Sequence, residues 1–500
     1  MLLFLYATCT LIAIIFLRFP LRRRKYSQLM PGTKYIFCDI LGDLKLFNFR
    51  KSFYHQLLDV LSKGSKLFPK EQLFCMWITY VPYVFIVRMD AVKEVLKNNR
   101  MNGKSFQYEW MKPILGSGLV VSSGEKWKSR RKLFNHCFHP DIVRSYLKTF
   151  NSNSQKLVNV LKEEAEKDFV YIVELFTLCA FESICEAIFG IGVGALENNN
   201  IEISNSIRRC ESIFIVRVYS ILLWPDFIFR NTKIGKDFEH HANVVQEFTY
   251  RMIEETKQKY LSGEREFSDG KRKTLIDVLI EKHLKIKEFT EEDVREEVNT
   301  FMSAGHETIG IAAMWAIYLI GRHPEVQAKL HEEIDHVFGN DRERPVTERD
   351  LKDLQYMNCV LKESGRIYPT VPALGRHVPE DTKICGYTVP KDATCIILTY
   401  LLHRDEEVFP DPEKFDPDRF SAENCVNIPE FAYIPFSGGA RNCIGYKFGE
   451  MELGTLICSI MRNFTVESLN KVFPVVGLSL QSSEPIRIKI RPRTVYESPS

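Results

Sequence analysis

Apolar residues recur along much of this chain at intervals of three or four, the spacing of amphipathic helices. An almost continuously helical pattern runs from Asn151 to Glu291. Separate helices are predicted at Glu292–Leu319, at Asp353–Tyr368 and at Tyr446–Asn463. The chain is therefore predicted to be mainly helical.

Strand-like runs are fewer and shorter than the helical ones. The stretch from Gln72 to Met89 has the β-branched and aromatic character of two paired strands, and Asp90–Asn98 follows as a short helix. Alternating runs near Tyr387–Val389, Thr394–Leu398 and Ile486–Ile490 predict further small sheets. A minor β part is expected beside the helices.

The N-terminus is apolar and uncharged from Met1 to Leu17. Together with residues 19–21, this run is just long enough to span a bilayer, which takes roughly 17 to 25 residues. Arg22, Arg23, Arg24 and Lys25 follow, and such basic residues stay on the cytoplasmic side of a membrane. The pattern predicts a membrane anchor at residues 1–21, a basic and Pro/Gly linker at 22–33, and one large cytosolic domain at 34–500.

Two other interpretations of the N-terminus fit less well. A cleaved signal peptide carries its charge before the apolar run and ends at a small-x-small site, whereas here the charge follows and no such site does. A mitochondrial transit peptide would be amphipathic and rich in Arg and Ser, unlike residues 1–21. We therefore favour a retained anchor.

Composition excludes several classes of protein. An apolar share of 45 % with 12 % aromatic residues supports a large packed core. The net charge of +3 is close to balanced and does not indicate nucleic-acid binding. The 13 cysteines are odd in number and form no C-x-x-C pair, which argues against a disulfide scaffold and for a reducing compartment.

One cysteine, Cys443, lies in a glycine-rich loop directly before the helix predicted from Tyr446. The positive end of a helix dipole favours thiolate over thiol, and a thiolate that binds a metal from one side is the ligand of haem-thiolate enzymes. An isolated cysteine would more often be a structural residue in a turn. The surrounding pattern F-x-x-G-x-R-x-C-x-G, however, arises by chance in about one such chain in ten thousand.

This pattern, from Phe436 to Gly445, resembles the haem-binding signature of the cytochrome P-450 superfamily at every fixed position. The resemblance implies the cytochrome P-450 fold, a large helical domain with minor β-sheets. It also implies haem b with an axial thiolate from Cys443. Phe436 is then expected to pack on the haem side of the loop, and Arg441 to contact a haem propionate.

A second motif places Trp127 and Arg131 four residues apart, on one face of a basic helix. An indole N–H and a guanidinium there could both reach a carboxylate, although a solvated basic face would look the same. In the resembled family this pair holds a haem propionate. Arg376, which follows the apolar turn Thr370–Leu374, is expected to be a second propionate partner.

The long helix at Glu292–Leu319 contains the sequence A-G-H-E-T from Ala304 to Thr308. A glycine inside a helix costs about 1 kcal/mol relative to alanine, so it indicates a packing or functional reason. A mid-helix threonine commonly just bonds the carbonyl one turn back. The motif nevertheless resembles the oxygen-activation helix of the family, which implies that Glu307 and Thr308 relay protons and that Ala304 lies at the haem. His306 is expected to be structural.

The helix at Asp353–Tyr368 carries Glu363 and Arg366, whose spacing favours an ion pair on one face. The E-x-x-R pattern is weak by itself, because it also occurs at Glu292–Arg295. The resembled family joins such a pair to an arginine of a later segment, here Arg419, in a buried triad that braces the cysteine loop. Glu363, Arg366 and Arg419 are therefore expected to be structural.

The finer likeness is to the microsomal fourth family, especially its insect members, and rests on the sequence around Ala304 and on the cysteine loop. Many fourth-family members carry at the position of Ala304 a glutamate that can esterify the haem. Alanine here predicts haem that is not covalently attached through this position. It also weakens the expectation of strict terminal-carbon fatty-acid hydroxylation.

The resemblance implies a monooxygenase that inserts one atom of O₂ into a lipophilic substrate, such as a fatty acid, hydrocarbon, hormone or xenobiotic. No G-x-G-x-x-G after a strand and no Walker A loop is present, so electrons must come from outside. The implied donor is NADPH–cytochrome reductase, with cytochrome b5 as a second candidate. The basic helix at Lys126–Lys132 is a candidate surface for an acidic partner. The implied location is the endoplasmic reticulum membrane.

Alternatives remain at two points. A haem-thiolate isomerase or dehydratase, or a non-catalytic haem protein, would keep the cysteine loop, but neither needs the acid–threonine pair or a reductase.

The apolar segment Ile213–Phe229 contains Arg217, Pro225 and Asp226 and so cannot span a membrane. It is predicted either to pack in the core or to dip into the membrane surface beside a substrate entrance.

Overall fold

The structure is a computed structural model that describes residues 20–33, 36, 39, 41–48, 53–79, 81–197, 201–265, 273–339, 341 and 343–493. The predicted anchor at residues 1–21 lies almost entirely outside the described part of the chain. Among the described residues, no helix combines the length and apolar character needed to cross a membrane. The proposed boundaries at 21 and 33 stay predictions.

Helices make up most of the described chain. In order they are α1 (Phe53–Leu67), α2 (Met89–Lys97), α3 (Lys112–Leu115), α4 (Gly124–Asn135), α5 (Pro140–Ser145), α6 (Leu147–Glu164), α7 (Ile172–Ile184), α8 (Ile201–Tyr219), α9 (Asp226–Asn231), α10 (Lys233–Leu261), α11 (Leu275–Leu284), α12 (Glu291–Arg322), α13 (Pro324–Phe338), α14 (Glu348–Asp353), α15 (Gln355–Ile367), α16 (Thr399–Leu402) and α17 (Tyr446–Asn463). The mainly helical prediction is confirmed.

The strands are short. They are β1 (Leu73–Ile78), β2 (Val81–Ile86), β3 (Val170–Tyr171), β4 (Leu374–His377), β5 (Thr382–Ile384), β6 (Tyr387–Val389), β7 (Thr394–Ile397), β8 (Phe464–Ser468), β9 (Pro474–Val476), β10 (Leu480–Ser482) and β11 (Arg487–Pro492). The runs predicted near residues 72–89, 387–398 and 486–490 are all found as strands.

The chain divides into two compact units. The first comprises residues up to Phe106, Ala373–Pro410 and Pro429–Asn442. It is built on a four-stranded sheet in the order β1-β2-β7-β4, in which β2 and β7 are parallel and the other pairs are antiparallel. Helix α2 packs its apolar face, including Val92 and Val95, into the core of this unit.

The second unit contains Gln107–Pro372, Asp411–Ile428 and Cys443–Ser500 and is largely helical. Its core surrounds the C-terminal half of α12, where Trp315 and Ile320 are fully buried. Helix α12 begins at a capping box in which the Thr290 hydroxyl accepts from the Asp293 N–H and the Asp293 carboxylate accepts from the Thr290 N–H. Such a cap stabilises the start of a helix by about 1 kcal/mol.

Helices α7 and α12 approach each other closely at two glycines of α12. A Cβ on Gly310 would lie 2.8 Å from the Cα of Thr177, and one on Gly305 would lie 2.6 Å from the Cδ1 of Ile184. Real Cβ atoms essentially never come that close to another heavy atom. The glycine inside the oxygen-activation motif therefore has a packing reason.

The remaining strands of the second unit form a three-stranded antiparallel sheet, β3-β11-β8, and a separate hairpin, β9–β10. The hairpin is joined to the helical core by the Trp315 indole N–H, which donates to the Leu480 carbonyl at 2.7 Å. This bond places the next residue, Gln481, beside the middle of α12. The hairpin thereby supplies a side chain to the candidate active site.

The apolar segment Ile213–Phe229 is divided between core and surface. Phe214 and Phe229 are buried, whereas Leu222 and Phe227 are 78 % and 73 % exposed. Arg217 is buried and bonds the Leu223 and Trp224 carbonyls and the Asp226 carboxylate. The segment thus packs partly in the core and partly exposes apolar side chains, and its contact with a membrane stays a prediction.

Candidate active site

Cys443 lies three residues before the start of α17, whose bounds at Tyr446–Asn463 match the sequence prediction. The thiol is solvent-exposed, and the Gly445 backbone N–H donates to its sulfur. The guanidinium of Arg131 also acts on this sulfur. An accessible sulfur that faces two N–H-bearing groups suits a thiolate ligand.

The ionisation of Cys443 is less favourable than the sequence suggested. The surrounding protein atoms raise the pKa of the Cys443 thiol above its ordinary value, although the Gly445 N–H and Arg131 both lower it. The helix N-terminus and arginine therefore do not offset desolvation by themselves. A coordinated metal ion deprotonates a thiol outright, so the thiolate would form with metal binding.

Trp127 and Arg131 lie on α4, as predicted. Trp127 is buried, and Arg131 is half-buried. Burial lowers the pKa of Arg131, and the nearby Cys443 raises the same pKa by a smaller amount. The structure thus brings the predicted propionate partner Arg131 to the predicted iron ligand Cys443.

The basic surface predicted at Lys126–Lys132 is largely neutralised by acids of α12. Lys126 pairs with Glu296 at 2.6 Å, and Arg130 is buried against Asp293 and lies 3.5 Å above the ring of Phe289. Arg130 thus belongs to the packing between α4 and α12. Lys128, which pairs with Glu125, and Lys132 are exposed, as is the Lys126 side chain that pairs with Glu296.

On α12 the five residues of the A-G-H-E-T motif face different surroundings. Ala304 is exposed although α12 is otherwise mostly buried, so this face of the helix borders open space. The Thr308 hydroxyl donates to the Ala304 carbonyl at 2.8 Å, the back-bond common for a mid-helix threonine. The hydroxyl oxygen is partly exposed and can still accept a hydrogen bond.

Glu307 points away from Thr308. Its carboxylate is buried, accepts from the Gln481 amide at 2.7 Å and contacts the carboxyl group of Glu211. Within the part of the chain that the structure describes, no hydrogen bond joins Glu307 to Thr308 directly. A proton relay between them would therefore need an intervening water molecule.

His306 is structural, as expected. Its ring is fully buried, and its Nε2 lies 2.7 Å from the Ser204 hydroxyl on α8. Burial and the nearby Arg208 lower the pKa of His306 to about 3. The ring is therefore neutral at physiological pH.

Arg376 and Arg441, both predicted propionate partners, lie in the first unit. Arg376 is buried on β4, and its guanidinium donates to the Gly375 carbonyl at 3.1 Å. Arg441 donates to the Asn102 carbonyl at 3.0 Å. Phe436, from the same loop as Arg441, is half-buried.

Lys104 joins these two arginines, and the sequence had not singled it out. Burial and the charges of Arg376 and Arg441 lower the pKa of Lys104 well below its ordinary value. Two arginines beside this amine favour the binding of an anion, and a bound anion would in turn favour the charged form of Lys104. The segment around Lys104 has no motif, so only the fold reveals this residue.

The structure brings Glu363, Arg366 and Arg419 together, as the resemblance implied. Arg366 is fully buried, and besides its hydrogen bonds to Glu363 it donates to the Pro412 carbonyl at 2.7 Å and the Lys414 carbonyl at 3.1 Å. Arg419 forms a longer ion pair with Glu363, at 3.5 Å. These contacts tie α15 to the segment that begins at Asp411.

Comparison with known proteins decides the family. The model of the family described as Cytochrome P-450 matches residues 44–489, most of the chain. This protein belongs to the cytochrome P-450 family. It is a haem-thiolate monooxygenase, an oxidoreductase that uses haem iron, O₂ and electrons.

Similar curated proteins are members of the fourth P-450 family. Cytochrome P-450 4V2 of Mus musculus is 38 % identical over 432 residues, covering 84 % of this chain and 82 % of the relative. The Homo sapiens 4V2 protein is 35 % identical, with 89 % and 86 % covered, and cytochrome P-450 4c3 of Drosophila melanogaster is 36 % identical, with 84 % and 81 % covered. The predicted likeness to the fourth family is confirmed, and it extends to mammalian as well as insect members.

The residues of this P-450 chain fit a haem. In the second unit, Cys443 offers an accessible sulfur and Ala304 an exposed face of α12 without a side chain that would fill it. In the first unit, Lys104, Arg376 and Arg441 form a cationic cluster suited to a carboxylate such as a propionate. The chemistry of each set of donors, taken by itself, matches what a haem requires.

Proposed function

We propose that this protein is a membrane-bound monooxygenase that inserts one oxygen atom from O₂ into a lipophilic substrate, with electrons from NADPH delivered by a reductase. The arrangement at Cys443 carries the proposal, because an accessible sulfur beside the Gly445 N–H and Arg131 suits an iron-binding thiolate. The net reaction consumes substrate, O₂, two electrons and two protons, and gives hydroxylated substrate and water.

Cys443 is assigned as the residue that would hold haem b through its thiolate, and the bound haem would supply the oxidising chemistry. Arg131 lies close enough to act on the Cys443 sulfur, which supports a joint role at the cofactor. The Gly445 N–H limits the charge on the sulfur by hydrogen bonding.

The propionate partners are assigned as Trp127 and Arg131 in the second unit and Arg376 and Arg441 in the first. The buried indole and guanidinium of α4 support the first pair. The cationic cluster supports the second pair and adds Lys104 to it. Phe436 is assigned to the packing beside the haem, on the resemblance alone.

Glu307 and Thr308 are assigned to proton delivery. The Thr308 hydroxyl is partly exposed beside Ala304 and can accept a hydrogen bond while it donates to the Ala304 carbonyl. Glu307 lies on the neighbouring face of α12 as the acid. An isomerase, a dehydratase or a haem carrier would have no use for these two residues.

Glu363, Arg366 and Arg419 are assigned to structure. The two short hydrogen bonds from Arg366 to Glu363 and the complete burial of both side chains support this role. Removing one partner of such a pair leaves a buried charge uncompensated. The triad is proposed to hold the chain that leads to the cysteine loop.

The substrate is proposed to be lipophilic, and the protein to act at the endoplasmic reticulum membrane. The uncharged N-terminal run of residues 1–17 supports an anchor. The exposed side chains of Leu222 and Phe227 support contact of this segment with lipid. A fatty acid, hydrocarbon, hormone or xenobiotic would reach the enzyme by that route.

The electron donor is proposed to be NADPH–cytochrome reductase, with cytochrome b5 as a second candidate. The exposed cations Lys128 and Lys132 support an acidic partner on α4. The internal pairing of Lys126 and Arg130 makes this surface weaker than the sequence suggested. Docking at α4 should therefore show only a modest dependence on salt.

The test is the carbon-monoxide difference spectrum of the reduced protein, followed by NADPH consumption with reductase. Wild type should give the red-shifted carbonyl band of a thiolate-ligated haem, and Cys443→Ser should lose it. Cys425→Ser is the matched control and should keep it, because Cys425 lies in a different loop. Retention of the band by Cys443→Ser would refute the ligand assignment. A correct band without NADPH consumption would favour an isomerase, a dehydratase or a haem carrier.

A further inference from the structure

Two carboxyl groups meet in the core of the second unit, one from each of two helices. Glu211 on α8 and Glu307 on α12 are each only 7 % exposed, and their side chains are hydrogen-bonded to each other. Neither residue belongs to an ion pair within 4.0 Å among the described residues. The pair is thus buried without a countercharge in direct contact.

A hydrogen bond between two carboxyl groups requires a proton on one of them, because two carboxylates are acceptors only. The second oxygen of Glu211, Oε2, receives no hydrogen bond from any group in the described part of the chain. A buried carboxylate oxygen without a donor is costly to ionise. Burial and Glu307 accordingly raise the pKa of Glu211 well above its ordinary value, and Arg208 lowers it only in part.

Glu307 is held in a different way from Glu211. Its Oε1 accepts from the Gln481 amide at 2.7 Å, and the same amide donates to the Ser479 hydroxyl at 2.7 Å. Oε2 of Glu211 has no such donor among the described residues. The shared proton therefore resides mainly on Glu211 and can pass to Glu307 along their hydrogen bond.

The other titratable groups near the pair do not compete for this proton. His306 is neutral and is bonded to Ser204 on α8. Arg208 lies one turn before Glu211 on α8 and is half-buried.

We propose that Glu211 is a second acid of the proton relay, which stores one proton on the Glu211–Glu307 pair and replaces the proton that Glu307 passes towards Thr308. This role rests on the proposed monooxygenase function. Of the two protons consumed per turnover, at least one travels from Glu211 to Glu307 and then through water to Thr308. Glu211 takes its replacement from solvent, and both electrons come from the reductase.

The first test needs neither substrate nor turnover. Infrared spectra of the purified resting protein in H₂O and D₂O, near neutral pH, should show an isotope-sensitive C=O band from a protonated buried carboxyl group. Glu211→Gln should remove one component of this band, since the amide keeps the shape of the side chain without an acidic proton. The buried acids Glu297 and Glu452, whose pKa values are also raised, should keep their own components. Glu202→Gln, an exposed substitution on the same helix as Glu211, should leave the whole band unchanged. Persistence of the full band in Glu211→Gln would overturn the proposal.

The second test measures NADPH oxidation with reductase, with Glu307→Gln as the positive control. Glu211→Gln should slow NADPH oxidation about tenfold, which is less than the roughly hundredfold lower end for loss of a general acid, because Glu211 acts through Glu307. It should also increase the solvent isotope effect on NADPH oxidation. The rate at which the carbonyl band forms under carbon monoxide needs electrons but no protons or O₂, and should stay at the wild-type value. A structural defect would instead slow both rates.

The outcomes separate this inference from the proposed function. A wild-type protein that binds haem but consumes no NADPH would contradict the proposed monooxygenase function. The infrared band would still decide whether the Glu211–Glu307 pair holds a proton. Slow turnover in Glu307→Gln together with wild-type turnover in Glu211→Gln would overturn the role of Glu211 alone. Slow turnover in both variants, with normal reduction, is the result expected.

Discussion

Arg366 donates two hydrogen bonds to Glu363, from Nε to Oε2 at 2.7 Å and from Nη2 to Oε1 at 2.8 Å. Both side chains are fully buried. The same E-x-x-R spacing recurs at Glu292 and Arg295, where the pair is largely exposed on the first turn of α12. Spacing therefore creates the ion pair in both places, and burial decides what the pair does for the fold.

Arg366→Ala should destabilise the protein by roughly 3–5 kcal/mol, because it leaves the Glu363 carboxylate buried without its countercharge. Arg295→Ala is the matched control and should change the free energy of unfolding by less than about 1 kcal/mol. Denaturant unfolding of the two variants measures the difference. Equal losses in both would contradict the structural role given to Glu363 and Arg366.

Glu297 should make stability depend on pH. It is fully buried on α12 and accepts from the Leu119 N–H at 3.0 Å, and burial raises the pKa of Glu297 to about 7 from 4.5. The folded state thus binds this proton more tightly than the unfolded state does. The stabilisation is complete below about pH 4.5 and is lost as the pH rises to about 7, a difference of roughly 3 kcal/mol.

Glu297→Gln should remove this dependence, since glutamine keeps an acceptor for the Leu119 N–H and carries no ionisable group. The free energies of unfolding of wild type and Glu297→Gln should be measured at pH 5.5 and at pH 8. The difference between the two proteins should be larger at pH 8, where the variant should be the more stable. Glu292→Gln, exposed on the first turn of α12, should follow wild type. Parallel curves for wild type and Glu297→Gln would contradict the burial effect.

Gly310→Ala should destabilise the protein by about 1–3 kcal/mol, although alanine is the better helix former. Its Cβ would meet the Thr177 backbone, at 2.8 Å from Cα and 2.9 Å from N, and a helix backbone cannot yield without moving α7. Gly305→Ala should cost less, because it meets the side chain of Ile184, which can change rotamer. Thermal unfolding distinguishes the two, and an unaffected Gly310→Ala protein would show that the helices are not so tightly packed.

Lys104→Met should weaken haem retention while the fold remains intact. The substitution removes one of three clustered cations, and haem transfer to apomyoglobin should become several-fold faster, as expected for loss of about 1 kcal/mol of charge-assisted bonding. Lys97→Met is the control, because Lys97 pairs instead with Glu430 on the surface. Equal transfer rates in wild type and Lys104→Met would remove Lys104 from the site.

Haem should be released from this protein by acid-acetone extraction. Alanine at position 304 provides no carboxylate for an ester to the haem, and Ala304 is exposed on α12. Ala304→Glu is the informative comparison, since it restores the side chain that many fourth-family members carry. Haem that stays with the wild-type protein in the pellet would reveal a different covalent attachment.

Much of the local structure could be predicted from the sequence. The bounds of α17 agree with the predicted helix at both ends, and the strands near Gln72–Met89 pair as the pattern indicated. Alternation and helical spacing report which face of an element is buried, and that holds whatever the element packs against. The motifs around Cys443 and Thr308 were found in the same way, because each is a short contiguous pattern.

The sequence alone determined the family, the candidate thiolate Cys443 and the acid–threonine pair of α12, since all of these are encoded by neighbouring residues. Only the tertiary structure decided that Glu307 contacts Glu211, about a hundred positions earlier, and that Lys104 joins Arg376 and Arg441. It also decided that Arg130 is neutralised within the fold. Burial and charge pairing depend on elements far apart in sequence, and no local pattern records which of them will meet.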